Sequence, residues 1–243
     1  MNINWQLIRF PFDDERWISK AVIGGLLAFF GMLFWPLYLP LAGYAVRVMR
    51  QAIEGESPSL PEWDEWGELL ADGLRFAVVL LLYTLPAWLL LCCTYAFMFL
   101  SLPLIDSMGA GLPPVAYAGS MIGFFGLFAL GSLVTYPLVF LAMVAESRMV
   151  ARNSLSRAFE IGEVWQLARA GFGNYFLASV VLYGFIMLAN VVVVMTTYTI
   201  VLACLFPVLF AGMAFYSLVL MGALYGVAYR ETRTQLAVSG VAA

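Results

Sequence analysis

Five carboxylates and two tryptophans make residues 59–73, SLPEWDEWGELLADG, the stretch of the chain with the most chemistry to offer. Carboxylates at this density can hold Mg²⁺ over a lipid phosphate, with Asp64 and Glu68 as metal ligands in an enzyme that acts on lipid headgroups. The same residues fit the polar surface of a helix equally well. The stretch is therefore compatible with a metal-dependent enzyme and with a non-catalytic surface.

The spacing of residues 59–73 predicts an amphipathic helix. Ser59 followed by Glu62 matches a capping box, and Pro61 would occupy the first turn, where its missing donor does no harm. Tryptophans spaced at three residues share one helical face and prefer the membrane–water boundary, so we expect the helix to lie in the cytoplasmic interface. The residues expected to anchor or dock this surface are Trp63, Trp66, Asp64, Glu65, Glu68 and, on a second cytoplasmic segment, Trp165.

Membrane-surface helices are normally basic, because many membranes carry negative charge. The carboxylates of residues 59–73 would be repelled by an anionic leaflet, so they need a basic partner. The segment 147–171 carries four arginines. We expect the two segments to lie side by side with opposite charges facing. The alternative is a solvated acidic face, since exposed ion pairs contribute only about 0–1 kcal/mol each.

Several kinds of chemistry lack their usual residues. The chain contains no histidine, the commonest general base and metal ligand. Its apolar stretches carry no Asp, Glu, Lys or Arg, which counts against ion-driven transport. No glycine-rich nucleotide motif is present, and the three cysteines lie in apolar stretches as packing residues. We therefore expect no catalysis, no cofactor, no metal and no nucleic-acid partner.

Composition places the chain in a membrane. It is 63% hydrophobic and 11% charged, whereas soluble domains are about 45–50% apolar and about 25% charged. A crossing needs about 20 apolar residues. The predicted fold is a single all-α membrane domain over 1–243, with four transmembrane helices in two hairpins at 76–102, 118–145, 174–198 and 205–229.

Positive residues predict the orientation of these spans. Arg and Lys occur before residue 21, between 47 and 75, between 147 and 171, and at 230–233. They are absent from 103–117 and from the turn expected near 198–206. Because Lys and Arg near span ends stay cytoplasmic, both termini are expected in the cytoplasm and these two loops outside.

The stretch 21–46 poses a parity problem, because both of its flanks are positive. Pro36 and Pro40 interrupt it, and each removes a backbone donor. Two half-helices would suit a re-entrant hairpin that follows an N-terminal interfacial segment at 1–20. The alternative is one proline-kinked span, which membranes tolerate.

Small residues predict where helices approach each other closely. Gly119 and Gly123 form one four-residue spacing and Gly222 and Gly226 another. Asn190 is the most polar side chain within a predicted span, so its amide needs a partner in another helix or in a neighbouring subunit. Packing within the chain is the plain alternative for all five residues.

The first 90 residues resemble a known family. The matching residues run from Gly24-Gly25-Leu26-Leu27 through Pro36, Gly43-Tyr44, Arg47 and Arg50 to Leu60-Pro61-Glu62-Trp63-Asp64-x-Trp66. This pattern resembles an uncharacterised family of prokaryotic polytopic membrane proteins, a domain of unknown function with a GGLL…P…GY…R and LPxWxxW signature. The resemblance implies a multi-pass protein of the prokaryotic inner membrane and supplies no catalytic residues.

The residues favour a non-catalytic accessory or scaffolding subunit of a larger membrane complex, or an organiser of lipid. Its expected partners are membrane lipids and other membrane protein subunits. The alternative is a carrier or scramblase for lipids or small hydrophobic molecules. A polar groove that contains Asn190, Thr84 and Thr94 and opens to lipid would favour the carrier.

Overall fold

A computed structural model describes residues 5–56, 59–107, 114–197 and 205–238, and every regular element in these ranges is helical. Short 3₁₀ turns occupy Phe10–Asp13, Trp35–Leu37 and Leu155–Phe159. The α-helices are α1 (Trp5–Arg9), α2 (Trp17–Gly31), α3 (Tyr38–Glu54), α4 (Trp66–Ser107), α5 (Pro114–Arg152), α6 (Ile161–Ala170), α7 (Phe172–Thr197) and α8 (Phe206–Val238).

Four of these helices, α4, α5, α7 and α8, are long and apolar enough to cross a membrane. The predicted spans 76–102 and 118–145 lie inside α4 and α5. The span 205–229 lies inside α8 except for its first residue, and 174–198 corresponds to α7 except for its last residue. At 1.5 Å per residue, the 42 residues of α4 reach about 63 Å, roughly twice the hydrocarbon thickness. The chain is therefore an all-helical, multi-pass membrane protein.

The contacts of the chain form two compact units. One unit comprises Leu80–Ala142, where the inner parts of α4 and α5 pack together. There the Ser101 and Ser120 hydroxyls lie 2.6 Å apart, and a Cβ on Gly123 would meet the Phe97 ring at 3.1 Å. The contacts pair residues in opposite order, so the two helices run antiparallel within this unit.

The other unit comprises Met1–Val79 and Met143–Ala243, and α8 is its centre. Helices α2, α3 and α7 all pack on α8, and residues 219–229 are buried without exception. Glycine permits this crowding: a Cβ at Gly222 would lie 2.3 Å from the Ala45 carbonyl oxygen, and one at Gly226 2.6 Å from that of Met49. The backbones of α3 and α8 are thus in direct contact.

The stretch 21–46 is not one continuous helix. Helix α2 ends at Gly31, residues 32–37 form a turn, and α3 begins at Tyr38. Pro36 lies in the 3₁₀ turn and Pro40 near the start of α3, where a proline loses no helical hydrogen bond. The prolines therefore separate two helices instead of kinking one.

The prediction of a helix over 59–73 is wrong at its start. Residues 59–65 are not helical, and α4 begins at Trp66 and runs without a break into the apolar stretch. The reason is tertiary. The Leu60 carbonyl accepts a hydrogen bond from Lys20 at 2.7 Å, and the Pro61 carbonyl accepts one from Tyr44 at 2.8 Å. Both carbonyls point towards α2 and α3, so no helix continues through them.

Two predicted loops fall partly outside the described residues. In the loop 103–117, residues 103–107 belong to α4 and 114–117 to α5, and 108–113 are not described. The turn near 198–206 contains 198–204, which are likewise outside the described ranges.

Candidate functional site

Lys20, near the start of α2, ties the segment 60–62 to the rest of the unit. Its side chain is only 6% exposed. The ammonium donates to the Leu60 carbonyl at 2.7 Å and lies 2.7 Å from an Asp14 oxygen and 3.0 Å from a Glu62 oxygen. An ammonium has three protons, and three acceptors meet them here. The buried charge is fully satisfied, which makes this a rigid attachment.

Lys20 and Asp14, which form an ion pair, both stay charged near neutral pH. The hydrogen bond from Lys20 lowers the pKa of the Asp14 carboxyl below its usual 3.8. Burial by itself would lower the pKa of Lys20, but the hydrogen bonds to Asp14 and Glu62 outweigh it and raise that pKa above 10.5. Each group thus stabilises the ionised form of the other.

Tyr44 and Trp63 complete this attachment, which we call the clamp (Lys20, Tyr44 and Trp63 with residues 60–62). Tyr44 is fully buried, donates to the Pro61 carbonyl and stacks on Trp63 with ring centroids 4.2 Å apart. The Trp63 indole donates to the Lys20 carbonyl at 3.0 Å. Trp63, expected as a membrane anchor, therefore packs into the protein.

The other two predicted anchors are more open. Trp66, the first residue of α4, stacks on Trp63 at 5.7 Å and is 45% exposed. Trp165 lies on α6, is 46% exposed, and carries the Arg169 guanidinium 4.7 Å above its ring. A cation over an indole face is an attractive arrangement.

Directly after the clamp comes the acidic strip, which we define as Asp64, Glu65 and Glu68. All three side chains are 62–70% exposed and surround Arg47, which is only 13% exposed. The guanidinium lies 2.8 Å from Asp64, 3.0 Å from Glu65 and 3.8 Å from Glu68. One positive charge meets three negative ones, so the strip keeps an excess negative charge that faces outward.

The backbone at Glu65 fixes the strip's direction. Glu65 has φ of 49°, in the left-handed region that costs a non-glycine residue about 1–2 kcal/mol. Its carbonyl accepts from the amides of Glu68 and Leu69, which starts α4, while its carboxylate is held by Arg47. The turn is therefore held from both sides.

The expected ion pairing of residues 59–73 with 147–171 was wrong. Their carboxylates pair with Arg16, Lys20, Arg47, Arg50 and Arg75, and within the described residues no ion pair joins them to 147–171. The arginines of 147–171 are engaged locally instead: Arg148 binds Glu160 and Glu163. The missed signal is the spacing of Arg47 and Arg50, which places both on one face of α3.

A very close helix crossing brings Arg47 to the strip. A Cβ on Gly43 would lie 1.9 Å from the Leu69 carbonyl oxygen, and one on Gly73 would lie 1.8 Å from that of Leu39. Only glycine allows α3 and α4 to approach this far. Gly73 was not among the predicted packing glycines.

Of the predicted packing residues, Gly222 and Gly226 lie against α3 and Gly123 lies beside Phe97, as described above. A Cβ added at Gly119 would meet no described atom within 4 Å outside its own helix. Asn190 is exposed, and its amide donates to the Ile186 carbonyl one turn earlier at 2.9 Å. It lines a cleft of about 220 Å³ between α7 and α8 with Ser217.

The hydroxyls named for a transport groove are also satisfied locally. Thr84 donates to the Leu80 carbonyl at 2.7 Å and Thr94 to the Leu90 carbonyl at 2.9 Å. Within the described ranges, no three Asp, Glu or Cys side chains meet as a group that could hold a metal ion. Asp64 and Glu68 instead face an arginine.

Comparison with known proteins adds a family. No curated protein and no solved structure matches the chain. A family model described as "Protein of unknown function (DUF4013)" matches residues 23–198, which include most of α2, all of the acidic strip and the helices up to α7. Since this match spans well over half of the 243 residues, the chain belongs to the DUF4013 family.

Proposed function

We propose that this protein is a non-catalytic accessory or scaffolding subunit of a larger membrane complex, and that the acidic strip docks a basic segment of a partner subunit. This proposal rests on the exposed cluster of Asp64, Glu65 and Glu68 around Arg47. One arginine does not neutralise three carboxylates. A partner that brings lysine or arginine would balance the excess negative charge.

Rigidity supports docking over a merely solvated face. The strip follows a clamp with a buried lysine and a stacked Tyr44–Trp63 pair, so its carboxylates are already positioned before a partner arrives. A pre-organised surface avoids the cost of ordering a loop on binding. Exposed charges of this kind contribute mainly to the rate and specificity of association.

The proposal includes a placement in the membrane. The arginine-rich ends of α3, α5 and α8 face the cytoplasm of a prokaryotic cell, with both termini on that side. Helix α2 has 15 residues and reaches about 23 Å, short of the roughly 30 Å core, so α2 and α3 form a re-entrant hairpin. Trp66 and Trp165 lie at the interface, where tryptophan is favoured.

The test is mild extraction from native membranes, followed by mass spectrometry of the proteins that stay bound. The strip variant carries Asp64→Asn, Glu65→Gln and Glu68→Gln. A charge-matched control carries Glu15→Gln, Glu54→Gln and Glu56→Gln, which removes three exposed carboxylates that lie outside the strip. We expect a stoichiometric membrane partner with the native protein and the control, and its loss from the strip variant. A protein that is extracted alone, with or without the strip, would sink the proposal.

The carrier alternative has less support. Thr84, Thr94 and Asn190 each bond to a carbonyl of their own helix, so they present fewer free donors to a polar substrate. A tightly held lipid class without any protein partner would move the carrier to the front. For the lipid-headgroup enzyme, metal-dependent turnover abolished by Asp64→Ala is the expected sign.

A further inference from the structure

A second charged feature lies on the same unit, away from the acidic strip. The ends of α5, α6 and α8 enclose a cleft of about 400 Å³. Each helix contributes an arginine: Arg152 from α5, Arg169 from α6 and Arg233 from α8, with Arg148 of α5 as a fourth. Glu163 is the only carboxylate that the described residues place in its lining. We call this the arginine cleft.

The balance of charge in the arginine cleft is positive. Glu163 is already bound to Arg148, together with Glu160. Arg152 makes no ion pair with any described residue, and Arg169 lies over the Trp165 ring. Guanidinium groups repel each other when gathered in one place, so an anion bound in the cleft would lower its electrostatic energy.

Arg148 provides an independent sign of a ligand. Its side chain is buried, with the residue only 6% exposed, and Nη2 donates to the two glutamates. Nη1 is also buried and has no acceptor among the described residues. Buried donors nearly always find a partner, because an unmade hydrogen bond there is costly. Arg148 also lines the cleft, so its guanidinium keeps one donor group without a described acceptor at the base of the cleft.

Four arginines around one cleft favour phosphate as the bound anion. The guanidinium fork matches the oxygens of a phosphate in pairs, and several forks can share one phosphate. The cleft also has an apolar side formed by Leu167, Ala170 and Leu236. It lies where the uncharged stretch 171–229 gives way to Arg230 and Arg233, which is the depth of a lipid headgroup.

We propose that the arginine cleft binds the phosphate of an anionic phospholipid, with Arg152, Arg169 and Arg233 around the phosphate and Arg148 at the base. Leu167 and Leu236 lie against the glycerol and the first acyl carbons. The lipid occupies the cleft as a structural ligand that fixes α6 between α5 and α8. This inference is independent of the docking function proposed for the acidic strip, which is formed by other residues.

The test uses the full chain in detergent micelles and counts bound lipid by native mass spectrometry. Phosphatidylglycerol is the probe, phosphatidylcholine the neutral-headgroup comparison and inorganic phosphate the competitor. The cleft variant carries Arg152→Gln and Arg169→Gln, both exposed side chains whose loss leaves the buried Arg148 network intact. The charge-matched control carries Arg9→Gln and Arg75→Gln, whose ion pairs lie elsewhere.

We expect one phosphatidylglycerol per chain, binding at least about tenfold weaker to the cleft variant and unchanged in the control. Equal weakening in both variants would show general attraction between charges and would overturn the site. Absence of saturable binding in the native protein would do the same. If inorganic phosphate binds with the same variant dependence while phosphatidylglycerol does not, the phosphate site stands and its assignment to a lipid is overturned.

Discussion

The crossing of α3 and α4 offers the sharpest test of how the acidic strip is held. In Gly43→Ala the new Cβ would lie 1.9 Å from the Leu69 carbonyl oxygen and 2.7 Å from its carbon. Such contacts are essentially never shorter than 3.0 Å, and backbone cannot rotate away, so the helices must separate by about 1.1 Å. Overpacking of this kind costs about 1–3 kcal/mol.

Separation by this distance also weakens what lies beside the crossing. Arg47 donates a hydrogen bond to Asp64 at 2.8 Å, and Tyr44 donates one to the Pro61 carbonyl at 2.8 Å. Both hydrogen bonds join α3 to the residues that lead into α4. At about 2–4 °C per kcal/mol for a chain of this size, a loss of about 2 kcal/mol lowers the unfolding midpoint by about 4–8 °C.

The assay is thermal unfolding of the purified protein in detergent, followed by tryptophan fluorescence. Gly212→Ala is the matched control, because Gly212 is also helical and has no neighbour within 4 Å among the described residues. The control is expected to be neutral or slightly stabilising, since alanine favours a helix. If Gly43→Ala unfolds at the same temperature as Gly212→Ala, the close crossing is not real and the reasoning fails.

Three further predictions concern the clamp. Tyr44→Phe leaves the Pro61 carbonyl without its donor and should cost about 1–2 kcal/mol, with faster hydrogen exchange at residues 59–65; unchanged exchange would contradict it. Lys20→Met removes the ion pair of Asp14 and leaves the Leu60 carbonyl without its donor, so it should lower stability by about 2 kcal/mol in a urea titration, while Lys20→Arg restores part of it. The third is a pH profile. The Asp14 contribution is present above pH 3.8 and lost as pH falls through its lowered pKa, and the Lys20 contribution is present below pH 10.5 and lost above its raised pKa. The contribution of this pair to stability should stay constant between pH 3.8 and pH 10.5. Lys20→Met should reduce the loss of stability at both acid and alkaline pH. A variant whose stability depends on pH as that of the native protein does would refute the assignment.

The long helices could be predicted because their cause is local. A span needs about 20 apolar residues in sequence, and no tertiary contact is required to recognise them. The break between α2 and α3 is likewise local, since Pro36 cannot continue a helix. The acidic composition of the strip is a sequence fact as well. All of these follow from residues that are neighbours in the chain.

The start of α4 and the partners of the strip could not be predicted, because their causes are far apart in the chain. Ser59 and Glu62 suggested a helix start, yet side-chain donors on α2 and α3 bind the Leu60 and Pro61 carbonyls and this segment is not helical. The spacing of Arg47 and Arg50 shows a shared face but not what that face meets. Pairing with 147–171 was reasonable from charge alone, and Arg148 had closer carboxylates at Glu160 and Glu163.

Sequence alone therefore determined that this chain is a helical membrane protein with an acidic, tryptophan-containing segment, because hydropathy and helix-breaking residues act over a few neighbouring positions. Tertiary structure alone decided where the charges go. It turned Trp63 inward, chose Arg47 as the centre of the acidic strip and gathered four arginines from three helices into one cleft. Those choices depend on glycine-mediated crossings between distant segments, and a linear pattern of residues does not encode the distances that such crossings create.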